Sequence, residues 1–242
     1  MFSEAIILAG GFGTRLQTVV SDVPKPMAPV NGEPFLNYQL NYLKHYGIKK
    51  VILSVGYLHE TITSYYKNQF NGIDIKYSIE DNPLGTGGGI RKAITLCKSN
   101  SVLVLNGDSF FEIDLHAFSN HHYTFKSDFT LALRKVDNSA RYGTIELSVS
   151  GGGRGQKIIS FKEKNGEEKP GLINAGIYAL NTELYLKKTK ADVNFSIEKD
   201  FFEAKLNELG IYGLEFNGYF IDIGIPEDYS KAQNDFKEFK YK

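Results

Sequence analysis

The sequence predicts an α/β protein in which a mixed, mostly parallel sheet is flanked by helices. Apolar runs at residues 5–9, 51–55 and 102–105 have the length and composition of strands that are buried on both faces. Segments with helical spacing separate these runs, and alternating strands and helices build a parallel sheet with right-handed crossovers. From residue 129 onward strand-like segments predominate, so we expect a β-rich second half. With 242 residues, 42% of them hydrophobic, the chain can form one domain over residues 1–242.

The elements of the first half follow from local signals. The turn Asn31-Gly32 precedes a helix that is predicted over residues 34–46. A helix at 58–68, a strand at 73–79 and a helix at 90–97, which follows a glycine-rich segment, continue the alternation. Ligands of such sheets bind beyond the carboxyl ends of the strands. We therefore expect the site where the first strand ends.

The second half is predicted to begin with strands and to return to helices. Strands are expected at residues 129–133, 144–149, 158–162, 211–215 and 219–221. The glycine cluster at 151–155 is predicted to form a hairpin tip. Ser196 is a candidate N-cap for a helix to about residue 209, and Pro226 begins a closing helix. Its aromatic residues, Tyr229, Phe236 and Phe239, are expected to pack on the sheet.

The first strand runs directly into three closely spaced glycines, Gly10, Gly11 and Gly13. Successive backbone N–H groups that no side chain covers form a concave anion site, which suits a polyphosphate. Arg15 can donate a planar pair of hydrogen bonds to phosphate, and Lys25 lies between two prolines that restrict its backbone. The residues alone also permit an ordinary glycine turn with a surface arginine.

Two other glycine motifs do not fit this loop. The dinucleotide fingerprint requires a third glycine where this chain has Leu16. The Walker loop requires Gly-Lys-Ser/Thr, whereas Thr14 and Arg15 follow Gly13 here. A dinucleotide-dependent oxidoreductase is therefore a remote alternative.

Composition excludes several classes of partner and site. Lys and Arg together number 28, as do Asp and Glu, so no net charge favours nucleic acid or an anionic membrane. Cys97 is the single cysteine, which excludes an internal disulfide, and no apolar run has membrane-spanning length. We therefore predict a cytoplasmic protein.

His121 and His122 are adjacent rather than at a metal-ligand spacing, so they are predicted to be surface or loop residues.

One family matches these motifs. Leu8-Ala9-Gly10-Gly11-Phe12-Gly13-Thr14-Arg15-Leu16 followed by Pro24-Lys25-Pro26 resembles the signature of the sugar-phosphate nucleotidyltransferases. These enzymes join a nucleoside triphosphate to a sugar 1-phosphate and release pyrophosphate. The resemblance continues through Pro83-Leu84-Gly85-Thr86-Gly87-Gly88, Asn106-Gly107-Asp108, Phe161-Lys162-Glu163-Lys164, Asn174-Ala175-Gly176 and Asp222-Ile223-Gly224. Residues 22–29 and the chain length are most similar to the D-glycero-α-D-manno-heptose 1-phosphate guanylyltransferases.

The resemblance implies the nucleotide-diphospho-sugar transferase fold and a set of site residues. Residues 1–110 would mainly bind the nucleotide and residues 111–242 the sugar phosphate. Arg15 and Lys25 would be catalytic. The nucleotide would contact Leu8, Ala9, Gly10, Gly11, Gly13, Thr14, Glu80, Pro83, Gly85, Thr86, Gly87 and Gly88, and the sugar phosphate Asn106, Tyr142, Gly143, Glu163, Lys164, Asn174 and Gly176.

Two aspartates are candidate ligands of Mg²⁺, which in proteins takes one or two carboxylates and completes its shell with phosphate oxygens and water. Asp108 follows the strand at 102–105; an aspartate in that position is, taken alone, more often the cap of a helix or turn, but its place in the family motif favours the metal. Asp222 stands between apolar residues, where a charge is costly unless it is paired or binds metal.

Glu80 follows the third strand, and in the family this segment lies against the base. A carboxylate only accepts hydrogen bonds, and guanine presents two adjacent donors, its N1–H and its exocyclic amine. Glu80 therefore favours guanine. The alternative, a carboxylate that caps the following turn or is solvated, stays open.

The predicted function is magnesium-dependent transfer of GMP from GTP to D-glycero-α-D-manno-heptose 1-phosphate, for lipopolysaccharide, capsule or S-layer glycan synthesis. Another pair, such as mannose 1-phosphate with GTP or N-acetylmuramic acid 1-phosphate with UTP, is an alternative. A non-catalytic sugar-nucleotide sensor is a second alternative. The aromatic content of 13% is compatible with a homo-oligomer interface as well as with a core.

Overall fold

The computed structural model describes residues 1–11, 16, 20, 22–148, 156–162 and 166–242. Its strands are β1 (Glu4–Leu8), β2 (Pro29–Val30), β3 (Glu33–Pro34), β4 (Lys50–Val55), β5 (Gln69–Phe70), β6 (Ile73–Ile79), β7 (Ser101–Asn106), β8 (Ser109–Phe111), β9 (Phe129–Val136), β10 (Thr144–Leu147), β11 (Gln156–Lys162), β12 (Gly171–Asn181), β13 (Ile211–Glu215) and β14 (Phe220–Asp222). Its helices are α1 (Phe35–His45), α2 (His59–Tyr66), α3 (Gly85–Ile94), α4 (Leu115–Thr124), α5 (Thr182–Lys188) and α6 (Pro226–Asp235). A 3₁₀ turn (Lys25–Met27) and a π-helix (Ile197–Glu203) complete the described elements. The hairpin tip predicted at 151–155 lies outside the described residues.

Ten strands form one sheet in the order β10-β11-β13-β9-β12-β7-β1-β4-β6-β5. The strands β7, β1, β4 and β6 are mutually parallel, which confirms the predicted βαβαβ arrangement. Beyond β7 the antiparallel pairings of β12 with β7 and β9 make the sheet mixed, as expected for the β-rich second half. Because β1, β4, β6 and β7 run in the same direction, their carboxyl ends lie along one edge.

The sheet is covered on both faces. Along β1, Ala5 and Ile7 belong to one buried cluster, which includes residues of α1, α2 and α6, and Ile6 belongs to the other, which includes residues of α3, α5 and the π-helix. This arrangement is typical of a strand that is apolar at every position rather than at alternate ones. Among the described residues no helix is long and apolar enough to cross a membrane.

The third long helix begins earlier than its composition indicated. It was predicted over residues 90–97 but spans Gly85–Ile94, so the glycine-rich segment is helical. A Cβ on Gly87 would overlap the ring of Phe195, and Gly87 N donates to Phe195 O at 2.9 Å. Close packing against the segment before the π-helix thus overrides the low helix propensity of glycine.

This packing predicts the effect of a single methyl group. Gly87→Ala should lower the free energy of unfolding by about 1–3 kcal/mol, because the methyl group would overlap the ring of Phe195, whose backbone is fixed by hydrogen bonds with Leu84 and Gly87. Urea unfolding measures the effect. Gly11→Ala is the matched control, since a Cβ there has no atom of the described residues within 4 Å. Equal stability of the two variants would contradict the prediction.

The prediction for His121 and His122 was wrong. Both lie in α4, which was not predicted, and both are buried. His122 Nδ1 is 3.0 Å from the hydroxyl of Thr130, and burial lowers the pKa of His122 to about 4. These are neutral core histidines rather than surface residues. Their burial depends on tertiary packing, and two adjacent histidines in a sequence give no indication of it.

The C-terminal third follows the prediction in part. Ser196 is the N-cap, with its hydroxyl accepting from Lys199 N at 3.2 Å, but the helix ends at Glu203 and is of the π type. Pro226 begins α6 as predicted. The ring of Phe236 lies 4.7 Å from that of Tyr38, so the closing segment packs on α1 as well as beside the sheet.

Candidate active site

The first strand ends in a tightly joined corner at the carboxyl edge. Ala9 N donates to Ser54 O at 2.7 Å, and Gly107 N donates to Leu8 O at 3.0 Å. These bonds tie the ends of β1, β4 and β7 together. Gly10 and Gly11 follow the corner, and Gly13, Thr14 and Arg15 lie outside the described residues.

A cavity of about 660 Å³ lies at this edge, a size typical of small-molecule sites. Its described lining includes seven predicted nucleotide contacts: Leu8, Gly10, Gly11, Glu80, Pro83, Gly85 and Thr86. Three other predicted contacts are not part of the lining, since Ala9 is buried in the corner and Gly87 and Gly88 pack against residues 193–195. The same cavity is also lined by seven residues that were not predicted: Ser54, Gly56, Tyr57, His59, Ile79, Asp81 and Asn194. Six of them lie at or shortly after the ends of β4 and β6, which is the one signal that could have indicated them, and Asn194, between α5 and the π-helix, had no such signal.

The carboxylate of Glu80 connects three elements at the wall of this cavity. Its Oε1 accepts from Ser54 Oγ at 3.0 Å, and its Oε2 accepts from Leu84 N at 2.9 Å. The capping role that the sequence left open is therefore present. Each carboxylate oxygen has two acceptor positions, so this role leaves acceptor capacity for a ligand.

A second cavity of about 200 Å³ adjoins the first. The two share Leu8, Gly11 and Thr86, and the smaller one is also lined by Lys25, Pro26, Asn106, Gly107 and Asp108. Lys25 Nζ lies 2.7 Å from Asp108 Oδ2, and the Lys25 side chain is only 11% exposed. The 3₁₀ turn and its flanking prolines hold the lysine backbone. The geometry brings the predicted cation and the first predicted carboxylate into direct contact.

Asp222 reaches the same place through a short strand pair. β14 pairs antiparallel with β8, which puts Asp222 opposite Ser109, and Ile223 N donates to Asp108 O at 2.9 Å. Burial and the nearby Asp108 carboxylate raise the pKa of Asp222, while a hydrogen bond from Gly224 N at 2.7 Å opposes this. Two carboxylates that disfavour each other's charge form a site suited to a cation.

The donor set around these carboxylates fits Mg²⁺ with substrate better than a closed protein site. Within the described ranges no group of three or more His, Cys, Asp and Glu residues is arranged to hold a metal. Mg²⁺ retains waters and binds substrate phosphates through one or two carboxylates, so Asp108 and Asp222 suffice for it.

Arg141, which the sequence analysis missed, lies beside Asp222. Its Nη1 is 2.6 Å from Asp228 Oδ2 and its Nη2 is 3.5 Å from Asp222 Oδ2. The guanidinium also lies over the ring of Tyr142, whose pKa burial raises to about 12. The one available signal was its position directly before the Tyr142-Gly143 motif.

A bulge in β12 brings Gly176, a predicted sugar-phosphate contact, close to Asn106, which lines the smaller cavity. The pairing of β12 with β9 shifts register between Asn174 and Tyr178, and Gly176 has a φ of +77°. A Cβ at Gly176 would lie 2.7 Å from Asn106 Nδ2, so glycine permits this close approach. Asn174 N donates to Gly143 O at 3.0 Å, which joins the two motifs. Glu163 and Lys164 lie outside the described residues.

Comparison with known proteins gives a consistent set of relatives. The model of the family "Nucleotidyl transferase" matches residues 4–238. The chain is 45% identical to a D-glycero-alpha-D-manno-heptose 1-phosphate guanylyltransferase from Aneurinibacillus thermoaerophilus, over 98% of this chain and 99% of that protein. It is also 45% identical to the enzyme of that name from Campylobacter jejuni, over 93% and 96% of the two chains. The crystal structure of HddC from Yersinia pseudotuberculosis complexed with GMP-PN superimposes with a TM-score of 0.82 at 36% identity, covering 98% of this chain and all of that one.

Proposed function

Because the chain belongs to the nucleotidyl transferase family, we propose that it transfers GMP from GTP to D-glycero-α-D-manno-heptose 1-phosphate, giving GDP-heptose and pyrophosphate. The observation that carries the proposal is the contact of Lys25 with Asp108, next to Asp222, in the smaller cavity that adjoins the larger one. The guanylyltransferases that match at 45% identity over nearly the whole chain support the choice of substrates.

The chemistry needs no protein nucleophile and no general base. The attacking group is a phosphate oxygen of the sugar 1-phosphate, which is already anionic, so the protein must position two anions and neutralise their charge. Lys25 would lie between the α-phosphate and the incoming phosphate. Arg15 and the amides of the loop from Gly10 to Gly13 would stabilise the departing pyrophosphate.

Asp108 and Asp222 would hold Mg²⁺, and Lys25 would exchange part of its contact with Asp108 for substrate phosphate. The ion, when bound, supplies positive charge that neutralises phosphate oxygens during the transfer. Arg141 Nη2 lies 3.5 Å from Asp222 Oδ2 and would restrict the orientation of that carboxylate.

The two halves of the chain would divide the substrates between them. Residues 1–110 supply all the described lining of the larger cavity except Asn194, and we assign that cavity to the nucleotide. Residues 111–242 supply Tyr142, Gly143, Asn174 and Gly176, which with Asn106, Glu163 and Lys164 would hold the sugar phosphate. A cytoplasmic location and a role in surface-glycan synthesis are part of the same proposal, and the oligomeric state is left open by it.

Pyrophosphate release by the purified protein tests the function directly. The assay crosses GTP, ATP, UTP and dTTP with heptose, mannose, glucose and N-acetylated sugar 1-phosphates, with and without Mg²⁺. Release with GTP and the manno-configured heptose, dependent on Mg²⁺, is the expected result. Release with another pair would keep the mechanism and change the substrates. Nucleotide binding without release for any pair would favour a sensor.

We assign Glu80 to the guanine base and expect its substitution to change base preference. Glu80→Gln should lower kcat/KM for GTP by about tenfold or more, because an amide can accept from only one of the two guanine donors at its oxygen. ITP lacks the exocyclic amine. The wild type should therefore prefer GTP to ITP, and the variant should lose that preference.

The comparison of two nucleotides separates recognition from capping. If Glu80 only caps the turn at Leu84, kcat/KM for GTP and ITP will fall by the same factor, and the assignment fails. Asp74→Asn, near the other end of β6, is the control for replacing one carboxylate by an amide beside this strand.

A further inference from the structure

Glu198 lies between residues assigned to the nucleotide and residues assigned to the sugar phosphate, and it has no role in the mechanism above. It is the second residue of the π-helix, and its carboxylate is half-buried. Its Oε1 accepts from the hydroxyl of Tyr178 at 3.0 Å, and its Oε2 accepts from Thr86 Oγ1 at 2.8 Å and Ser196 Oγ at 2.9 Å. One carboxylate therefore binds hydroxyl groups from α3, β12 and its own N-cap.

The branch toward the sugar side runs through a fully buried tyrosine. Asn174 Nδ2 donates to Tyr178 OH at 2.8 Å, so the tyrosine hydroxyl must use its single proton toward Glu198. Burial and the charge of Glu198 raise the pKa of Tyr178 well above its ordinary value, so the hydroxyl keeps that proton. The amide of Asn174 is thereby oriented, with Oδ1 accepting from Gly176 N at 3.2 Å.

The branch toward the nucleotide side ends at Thr86. This residue lines both cavities, at their junction. Its hydroxyl donates to Glu198 and accepts from Ile197 N at 2.9 Å, which fixes its rotamer. The same carboxylate thus orients one side chain at the junction of the cavities and one in the bulge of β12.

We propose that Glu198 is a positioning residue for both substrates: it fixes Thr86 at the junction of the two cavities, on the nucleotide side, and, through Tyr178, it fixes the amide of Asn174 on the sugar-phosphate side. The proposal rests on the proposed function for the identity of the substrates. A carboxylate is required because hydroxyl donors approach both of its oxygens. Glutamine would present one oxygen and one NH₂ group, so one side would face a donor where it needs an acceptor.

Three substitutions separate the two branches. Tyr178→Phe removes only the sugar branch and should raise KM for the sugar 1-phosphate about tenfold, with the Kd of GTP unchanged. Thr86→Val removes the other branch and should raise the Kd of GTP about tenfold. Glu198→Gln should raise both constants. Adding Tyr178→Phe to Glu198→Gln should raise KM for the sugar phosphate no further, because the branch is already broken.

The control is Glu203→Gln, at the exposed end of the same helix, which should leave both constants at their wild-type values. Calorimetry with GTP alone gives Kd, steady-state kinetics give KM and kcat, and thermal unfolding reports on folding. A Glu198→Gln protein that loses stability or kcat without a change in either constant would overturn the proposal. So would full additivity in the double variant.

The outcomes also separate this proposal from the proposed function. If the wild type releases pyrophosphate with the expected pair but Glu198→Gln leaves KM and Kd unchanged, only the positioning role fails. If the wild type is active with a different sugar 1-phosphate, KM is measured with that sugar and the same variants decide. If the wild type shows no turnover, the proposed function fails, and equal GTP binding by wild type and Glu198→Gln would overturn the nucleotide branch as well.

Discussion

Lys25→Met should lower kcat by on the order of a hundredfold or more, the scale for loss of one preorganised electrostatic group. Methionine keeps the length and the buried apolar stem of this 11%-exposed side chain and removes only the charge. The effect should appear in kcat rather than in the Kd of GTP, because Lys25 would act where charge develops between the two phosphates. Steady-state pyrophosphate release at saturating substrates measures it.

Lys76→Met is the matched control for this substitution. Lys76 also pairs with an aspartate, Asp74, at 3.7 Å, but both side chains are about half exposed and neither is part of the described cavity linings. Exposed pairs of this kind contribute little to stability. A Lys25→Met protein with kcat within a few-fold of the control would remove Lys25 from the chemistry.

Asp222→Asn should also lower kcat by on the order of a hundredfold, and it should raise the Mg²⁺ concentration needed for half-maximal activity. Asparagine can still accept from Gly224 N but leaves Asp108 as the single carboxylate of the pair. The fold should not suffer, because burial and Asp108 raise the pKa of Asp222 and make its charge unfavourable in the folded protein.

Thermal unfolding with Mg²⁺ and GTP gives a readout that does not depend on turnover. Mg²⁺ should increase the stabilisation that GTP provides to the wild type and have little effect on Asp222→Asn, since a ligand that binds only the folded state stabilises it. Asp228→Asn removes the other carboxylate partner of Arg141 and should keep the wild-type response. An unchanged Mg²⁺ response in Asp222→Asn would exclude it as a ligand.

Much of the first half of the fold was predictable because its signals are local. The strands β1, β4 and β6 are continuous or regular apolar segments between turn residues, and the structure has β6 at the predicted residues, Ile73–Ile79. The parallel arrangement followed from the alternation of strands and helices. Propensity failed at α3, where glycines are helical because Phe195, more than a hundred residues away in sequence, packs against them.

The candidate site was predictable to a similar degree. The glycines after β1, Lys25 between prolines, and Asp108 after β7 each stand next to a recognisable element, and the structure brings Gly11, Lys25 and Asp108 to one cavity. Glu80 was singled out on chemical grounds, and the hydrogen bond that it accepts from Leu84 N shows that it also caps the following turn. Tyr178 and Glu198 had no such signal, because an isolated charged or aromatic residue has the same local pattern on a surface.

By itself, the sequence determined the parallel βαβαβ unit, the glycine corner at the end of β1, and the residue types available there. Those features depend on local backbone preferences and on hydrophobic periodicity, and both can be read from residues that are close together in the sequence. Only the tertiary structure decided that Asp222 meets Asp108 across the three-residue strands β8 and β14, and that Glu198 joins Thr86 to Asn174 through Tyr178. A three-residue strand does not reveal from its sequence which strand it pairs with. Which distant polar groups become buried together, and must therefore hydrogen-bond to one another, depends on the packing of the whole chain.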